Sequence, residues 1–241
     1  MNKLWLSRTM VTEGLVSSRS QADNYIKLGY VSVNDEVITR SDSLINENDT
    51  IKLKIPGHYV SRGALKLASV VSALHLDFKN KLVLDVGSST GGFTDYALQH
   101  GADKVVAVEA GTNQLHPRLI NHPKIELHEK TDIRDFKTKQ QFDVVLIDVS
   151  FISLRQILPK LTSILTSNTD IVVMVKPQFE AMNSNSKHKG IIKNDRIRRD
   201  ILKDFEIWSK GKFVIVNKAD SDVAGAKGNR ERFYLLRNSK G

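Results

Sequence analysis

The sequence predicts an α/β protein, a doubly wound, Rossmann-like parallel sheet preceded by a small α+β unit over residues 1–55. Three observations predict it. A chain of 241 residues suits one large domain plus a small one. Beyond residue 80, continuous apolar runs alternate with helical stretches, as in strands buried on both faces. A glycine-rich turn follows the first of those runs, where open α/β sheets place their ligands.

The small unit comes first. Val11–Leu15 belongs to a short helix that Gly14 ends. Ser18-Arg19-Ser20-Gln21 has capping-box spacing, so Ser18 caps the next helix and Gln21 can reach back to it. Gly29 stands where a left-handed C-cap belongs. Two β-favouring runs, Tyr30–Val33 and Glu36–Thr39, flank Asn34-Asp35 and read as a hairpin. Ile51–Ile55 alternates with period two and reads as a third strand. Pro56-Gly57 breaks the chain, which places a linker at 56–60 and a large domain at 61–241.

In the large domain, Ser61 is the N-cap of a helix over Arg62–Leu74. Strands are expected at Leu82–Val86, Val105–Val108, Val144–Ile147 and Ile171–Val175, with helices near 93–100, 153–165 and 195–209. Within the last helix, Ile197, Ile201, Leu202, Phe205 and Trp208 form an apolar stripe that is expected to face the core. Phe213–Val216 and Phe233–Leu236 read as a final antiparallel addition.

Composition narrows the function. The absence of cysteine excludes disulfides, thiolate metal sites and cysteine nucleophiles, and no metal site is expected. No apolar run approaches the roughly 20 residues of a membrane span, and the start carries no signal-peptide core, so a cytoplasmic protein is expected. The net charge of +9 falls wholly within residues 151–241, which hold eighteen basic and nine acidic residues. Such an excess points to a polyanionic partner.

The glycine-rich turn, Gly87-Ser88-Ser89-Thr90-Gly91-Gly92-Phe93-Thr94 after Asp85, lacks both the dinucleotide spacing and the phosphate-loop lysine. What remains is acidic. Glu109 ends the next strand, at the distance from the turn that suits both ribose hydroxyls of a nucleoside. Asp132, after a further strand, could meet an adenine amino group. A cationic nucleoside cofactor fits this set, and S-adenosylmethionine is one. Asp148 and Lys176 end two later strands, so both reach the same crevice. A lysine there is either ion-paired with Asp148 or a candidate base.

Five stretches then resemble one family: Tyr59–Leu67, Asp85–Asp95, Asp148–Leu154 (Asp-Val-Ser-Phe-Ile-Ser-Leu), Val175–Glu180 (Val-Lys-Pro-Gln-Phe-Glu) and Gly228–Glu231. The chain is similar to the TlyA (hemolysin A) family of ribosomal RNA methyltransferases, which carry an FtsJ-like catalytic domain. Gly14–Ala22, with Ile26, Gly29, Val31, Val33 and Asn34, resembles the S-four RNA-binding domain. The resemblance implies a class I methyltransferase sheet using S-adenosylmethionine, ribosomal RNA or ribosomal subunits as partner, and a ribose 2'-hydroxyl as acceptor. It also implies a catalytic set of Lys66, Asp148, Lys176 and Glu231. The candidate cofactor residues are Asp85, Gly87, Ser89, Thr90, Gly91, Gly92, Phe93 and Thr94 in the turn, with Glu109 and Asp132 at the later strand ends. Taken alone, Lys66 and Glu231 read as surface residues, and only the resemblance promotes them.

Candidate RNA contacts are Arg8, Arg19, Lys27 and Arg40 in the small unit, with Arg62, Lys189, Arg196 and Arg199 beyond it. Lys187-His188-Lys189-Gly190 reads as a basic loop near the crevice, with His188 exposed. No membrane contact and no obligate protein partner are expected. Two other readings compete: a non-catalytic RNA-binding or ribosome-associated protein, and a membrane-active haemolysin.

Overall fold

The computed structural model describes residues 3–16, 18–27, 29–53, 59–181, 191–192, 194–225 and 228–239. The stretch Lys187-His188-Lys189-Gly190, most of the expected linker and the end of the Ile51–Ile55 run lie outside the described residues.

Seven strands form the main sheet: β6 (Leu82–Val86), β7 (Lys104–Val108), β8 (Ile125–His128), β9 (Val144–Ile147), β10 (Asp170–Val175), β11 (Phe213–Asp220) and β12 (Arg232–Asn238). Their order is β11-β12-β10-β9-β6-β7-β8. The first five in sequence pair in parallel, and β12 enters antiparallel between β10 and β11. The chain runs outward from β6 through β7 to β8, then returns to lay β9 on the other side of β6. The strand order therefore reverses between β6 and β9, and a ligand crevice opens at the carboxyl ends of those strands.

The apolar runs are continuous because both faces of the sheet are covered. On β9, Val145 and Ile147 face one core while Val144 and Leu146 face the other. Strand β10 divides likewise, with Ile171, Val173 and Val175 on one side and Val172 and Met174 on the other. Helices α3 (Arg62–Leu74) and α4 (Gly92–Gln99) cover one face, and α5 (Leu154–Leu161) and α7 (Asp195–Lys210) the other. Caps set the helix starts. Ser61 accepts from the Gly63 N–H, Ser153 from that of Arg155, and Asn194 from those of Arg196 and Ile197.

The N-terminal unit has its own core, built on Leu6, Met10, Tyr25, Ile26 and Val31. It contains β1 (Lys3–Trp5), α1 (Leu6–Thr12), α2 (Arg19–Lys27), β2 (Val31–Val33), β3 (Glu36–Ile38), β4 (Leu44–Asn46) and β5 (Ile51–Leu53). Asn34 and Asp35 both take positive φ, as a tight two-residue hairpin turn requires, and Gly29 is left-handed after α2.

Several expectations need correction. The first helix starts at Leu6, well before Val11, and ends at Thr12 with Gly14 in the following turn. The β1–β4 pair is absent from the sequence reading, since three-residue strands carry too little periodicity. Strand β8 is half-exposed at the sheet edge, so it lacks the apolar run of its neighbours. Helix α5 stops at Leu161 and continues as a 3₁₀ turn over Thr162–Ile164. On α7, Ile197 is 41% exposed. Arg198 is buried in its place, donating from Nε to the Arg230 carbonyl and pairing with Asp220 at 2.5 Å.

Candidate active site

The turn after β6 reaches the crevice through a backbone that only glycine suits. Gly87 has φ +79, and a Cβ on it would lie 2.7 Å from the Asp148 carbonyl. Asp85, at the end of β6, is fully buried. One of its carboxylate oxygens accepts from the Thr94 N–H (2.9 Å) and hydroxyl (2.6 Å), tying β6 to the first turn of α4. The other oxygen is buried without a hydrogen-bond partner. Burial pushes the Asp85 carboxyl up to about 7, opposed by the Thr94 bonds and reinforced by the Asp148 charge.

Two lobes meet at the switch point. The larger, a cleft of about 420 Å³, is walled by Val108, Ile133, Val149 and Ile157 and bordered by Glu109, Asp132 and Asp148. The smaller, about 220 Å³, is lined by Ser61, Arg62, Lys66, Asp85 and Lys176. Gly87, Ser89, Asp148 and Ser150 belong to both. The first lobe is thus apolar with acidic edges, the second is polar and holds Arg62, Lys66 and Lys176 beside Asp85 and Asp148, and Asp148 stands between them.

Glu109 is held by its own backbone neighbourhood. Its carboxylate accepts from the Ser89 N–H at 2.9 Å and the Gly111 N–H at 2.7 Å. Asp132 borders the cleft, but Arg134 grips both of its oxygens and holds its carboxyl below the usual range. That partner, only two residues away, is missing from the sequence reading of Asp132. Among the other expected cofactor residues, Ser89, Thr90, Gly92 and Phe93 line the second lobe. Gly91 and Thr94 line neither: Gly91 caps α4 in a left-handed conformation, and Thr94 serves Asp85.

The four residues singled out for chemistry form two ion pairs. Lys176 Nζ lies 2.5 Å from Asp148 Oδ1 and also donates to Ser150 Oγ at 2.9 Å. Lys66 pairs with Glu231 at 2.5 Å. Lys66 is only 9% exposed and Glu231 is buried, so the surface reading of these two fails. Helix α3 turns Lys66 inward, and the chain entering β12 brings Glu231 to it.

Three features of this site are not legible in the sequence. Phe151 is 83% exposed at φ +65, a conformation rare for a bulky side chain, and its ring lies 5.1 Å from that of Phe179 beside Lys176. Phe151 thus combines an unusual backbone conformation with exposure at the mouth of the larger cleft. Ser150 belongs to one of the motifs, yet nothing in its spacing gives it a role. Glu180, in the short helix α6 (Pro177–Glu180), accepts from Ser153 Oγ at 2.7 Å and from the Leu154 N–H at 2.8 Å. It thereby locks the loop carrying Asp148 to the loop carrying Lys176. Burial pushes its carboxyl up, against those hydrogen bonds.

The expected RNA contacts are spread widely. Arg8, Arg19, Lys27, Arg196 and Arg199 are exposed, and Arg40 is exposed while bonded to Asp42. Arg62 lines the smaller lobe. Lys189 lies outside the described residues.

Comparison with known proteins decides the family. The model for FtsJ-like methyltransferases matches residues 59–238, three quarters of the chain. The chain belongs to the FtsJ-like methyltransferase family. An S4 domain model matches residues 4–51 of this methyltransferase, across the N-terminal unit. It is 38% identical to Hemolysin A of Brachyspira hyodysenteriae, over 91% of this chain and 94% of that one. It is 39% identical to the 23S rRNA (cytidine-2'-O)-methyltransferase TlyA of Campylobacter jejuni, over 77% and 74%. A solved structure of a candidate hemolysin from Streptococcus thermophilus superposes with a TM-score of 0.76 at 33% identity, covering all of this chain and 90% of the other. Among the described residues, no helix is long and apolar enough to cross a membrane, and no group of side chains forms a metal site.

Proposed function

We propose that this protein uses S-adenosylmethionine to methylate a ribose 2'-hydroxyl of ribosomal RNA in the cytoplasm. The observation that carries the reading is the pair of unlike lobes meeting at Asp148 and Lys176. The residues present fit the cofactor. An apolar cleft with Glu109 at its edge suits a nucleoside, and the orphaned Asp85 oxygen suits a cation. No lysine stands in the turn to hold a diphosphate. When bound, the cofactor supplies an electrophilic methyl group on a sulfonium.

The chain's own residues do the rest. Lys176 Nζ, oriented by Asp148 and Ser150, stands where it can take the proton of an attacking hydroxyl or balance the developing oxyanion. Lys66 and Glu231 keep a second, mutually neutralised charge pair beside that point. Phe151 offers an exposed ring on which an unstacked base can lie, the usual way a protein holds single-stranded RNA. Arg62 in the smaller lobe and the exposed arginines attract the phosphate backbone. Relatives named as cytidine-2'-O-methyltransferases support cytidine as the nucleoside.

Calorimetry tests the cofactor directly. S-adenosylmethionine and S-adenosylhomocysteine are expected to bind, and NAD is not. Glu109→Ala is expected to weaken binding by about 1.5–3 kcal/mol, the scale of a hydrogen bond to a charged group. Tight NAD binding with no response to S-adenosylmethionine would overturn the reading.

A further inference from the structure

Helix α2 of the N-terminal unit packs on the segment that joins β7 to β8. Gln21, almost fully buried, donates from Nε2 to the carbonyls of Gln114 (3.1 Å) and Leu115 (3.4 Å). One turn further along α2, the Tyr25 ring lies 6.0 Å from that of His116. The capping-box spacing gives Gln21 a local duty, whereas its amide reaches across more than ninety residues of sequence.

The same three residues of the β7–β8 segment also hold the cofactor loop. Gln114 Oε1 accepts from Ser89 Oγ at 3.2 Å. The Gln114 amide packs so closely over Gly111 that a Cβ there would run into Nε2, and that Cβ would lie 3.2 Å from Glu109 Oε1. The His116 N–H donates to the Thr90 carbonyl at 3.2 Å. Leu115 and Leu119 close over Gly91, so a Cβ there would meet both side chains. One short segment is therefore clamped between the S4 domain and the turn that lines both lobes.

We propose that Gln114 is a positioning residue for the cofactor pocket and that Gln21 docks the S4 domain against it, so that cofactor and RNA each tighten the other's binding. The inference rests on the cofactor and RNA assignments made above. Its physical basis is linkage. RNA that grips both the S4 domain and the smaller lobe favours the docked arrangement, in which Ser89, Thr90 and Glu109 are held in place. A cofactor that needs those groups in place favours the same arrangement, and the coupling factor must be equal in both directions.

The test uses the full chain. S-adenosylhomocysteine affinity is measured by calorimetry, alone and with small or large ribosomal subunits, for wild type, Gln21→Met and Gln114→Ala. Met fills the volume of Gln21 without its donor, and Gln114→Ala lies on the catalytic side, so it keeps the test intact should the Gln21 variant fail to fold. Each variant is expected to weaken S-adenosylhomocysteine by about 2- to 10-fold, the worth of one neutral hydrogen bond. The tightening produced by the bound subunit is expected to fall toward unity in both. A merely structural role would lower the melting temperature and leave that ratio unchanged. A ratio of one in wild type, or an undiminished ratio in both variants, would overturn the inference while the cofactor reading stands. Absence of S-adenosylhomocysteine binding to wild type would overturn the cofactor reading, and this inference with it.

Discussion

At the scale of single residues, burial decides which charges carry function. Asp85 shows how. Its carboxyl is pushed up to about 7, so between its unfolded value of 3.8 and about 7 the folded state keeps a proton that the unfolded state has lost. Asp85 therefore lowers stability as pH rises through that window. A cationic ligand reverses the preference, because it favours the ionised form. Affinity for S-adenosylmethionine is accordingly expected to rise between about pH 6 and about pH 8, following the Asp85 titration. In Asp85→Asn that part of the pH dependence should disappear. Calorimetry across this range checks it, and an identical pH profile in the variant would remove Asp85 from the cation's surroundings.

At the scale of elements, helix α7 separates a structural charge from a solvated one. Arg198 is buried against Asp220 and the Arg230 carbonyl and holds the helix to the start of β12. Arg196 and Arg199, on either side of it, face solvent. Replacing both by Gln is expected to weaken RNA binding and to flatten its salt dependence by roughly 0.7–0.9 in slope for each phosphate no longer neutralised. Filter binding over a salt series measures this, and an unchanged slope would mean that the face is only hydrated. The same helix marks a limit of sequence reading. Periodicity places α7 and most of its apolar face, yet it cannot foresee that Ile197 is exposed and Arg198 buried, because that exchange depends on Asp220, an acid of a later strand. The strands of the main sheet are legible because burial on both faces writes itself as unbroken apolar runs. Strand β1, helix α6 and the left-handed Phe151 are not, since each is fixed by tertiary packing rather than by local pattern. In the site, Asp148 and Lys176 follow from their places at strand ends, while Lys66 and Glu231 need the resemblance.

At the scale of the whole molecule, two unlike lobes meet in one crevice. The N-terminal unit is charge-neutral, the last third of the chain carries the entire net positive charge, and the acidic-edged and polar lobes meet between β6 and β9. The central claim is that Lys176 assists methyl transfer to a ribose hydroxyl at that meeting point. The most direct test is single-turnover transfer from methyl-labelled S-adenosylmethionine to isolated ribosomal subunits, followed by alkaline hydrolysis of the RNA. A 2'-O-methyl group removes the hydroxyl that attacks the neighbouring phosphodiester, so the label should survive in an uncleaved dinucleotide. Lys176→Ala should slow transfer by about 10²–10⁴ while leaving S-adenosylhomocysteine binding nearly intact. Lys176→Arg separates the two roles: a guanidinium stays protonated and cannot accept the proton, so failure to restore the rate assigns Lys176 as the base, and restoration assigns it to balancing the oxyanion. Label recovered in mononucleotides, or Lys176→Ala methylating at the wild-type rate, would contradict the account.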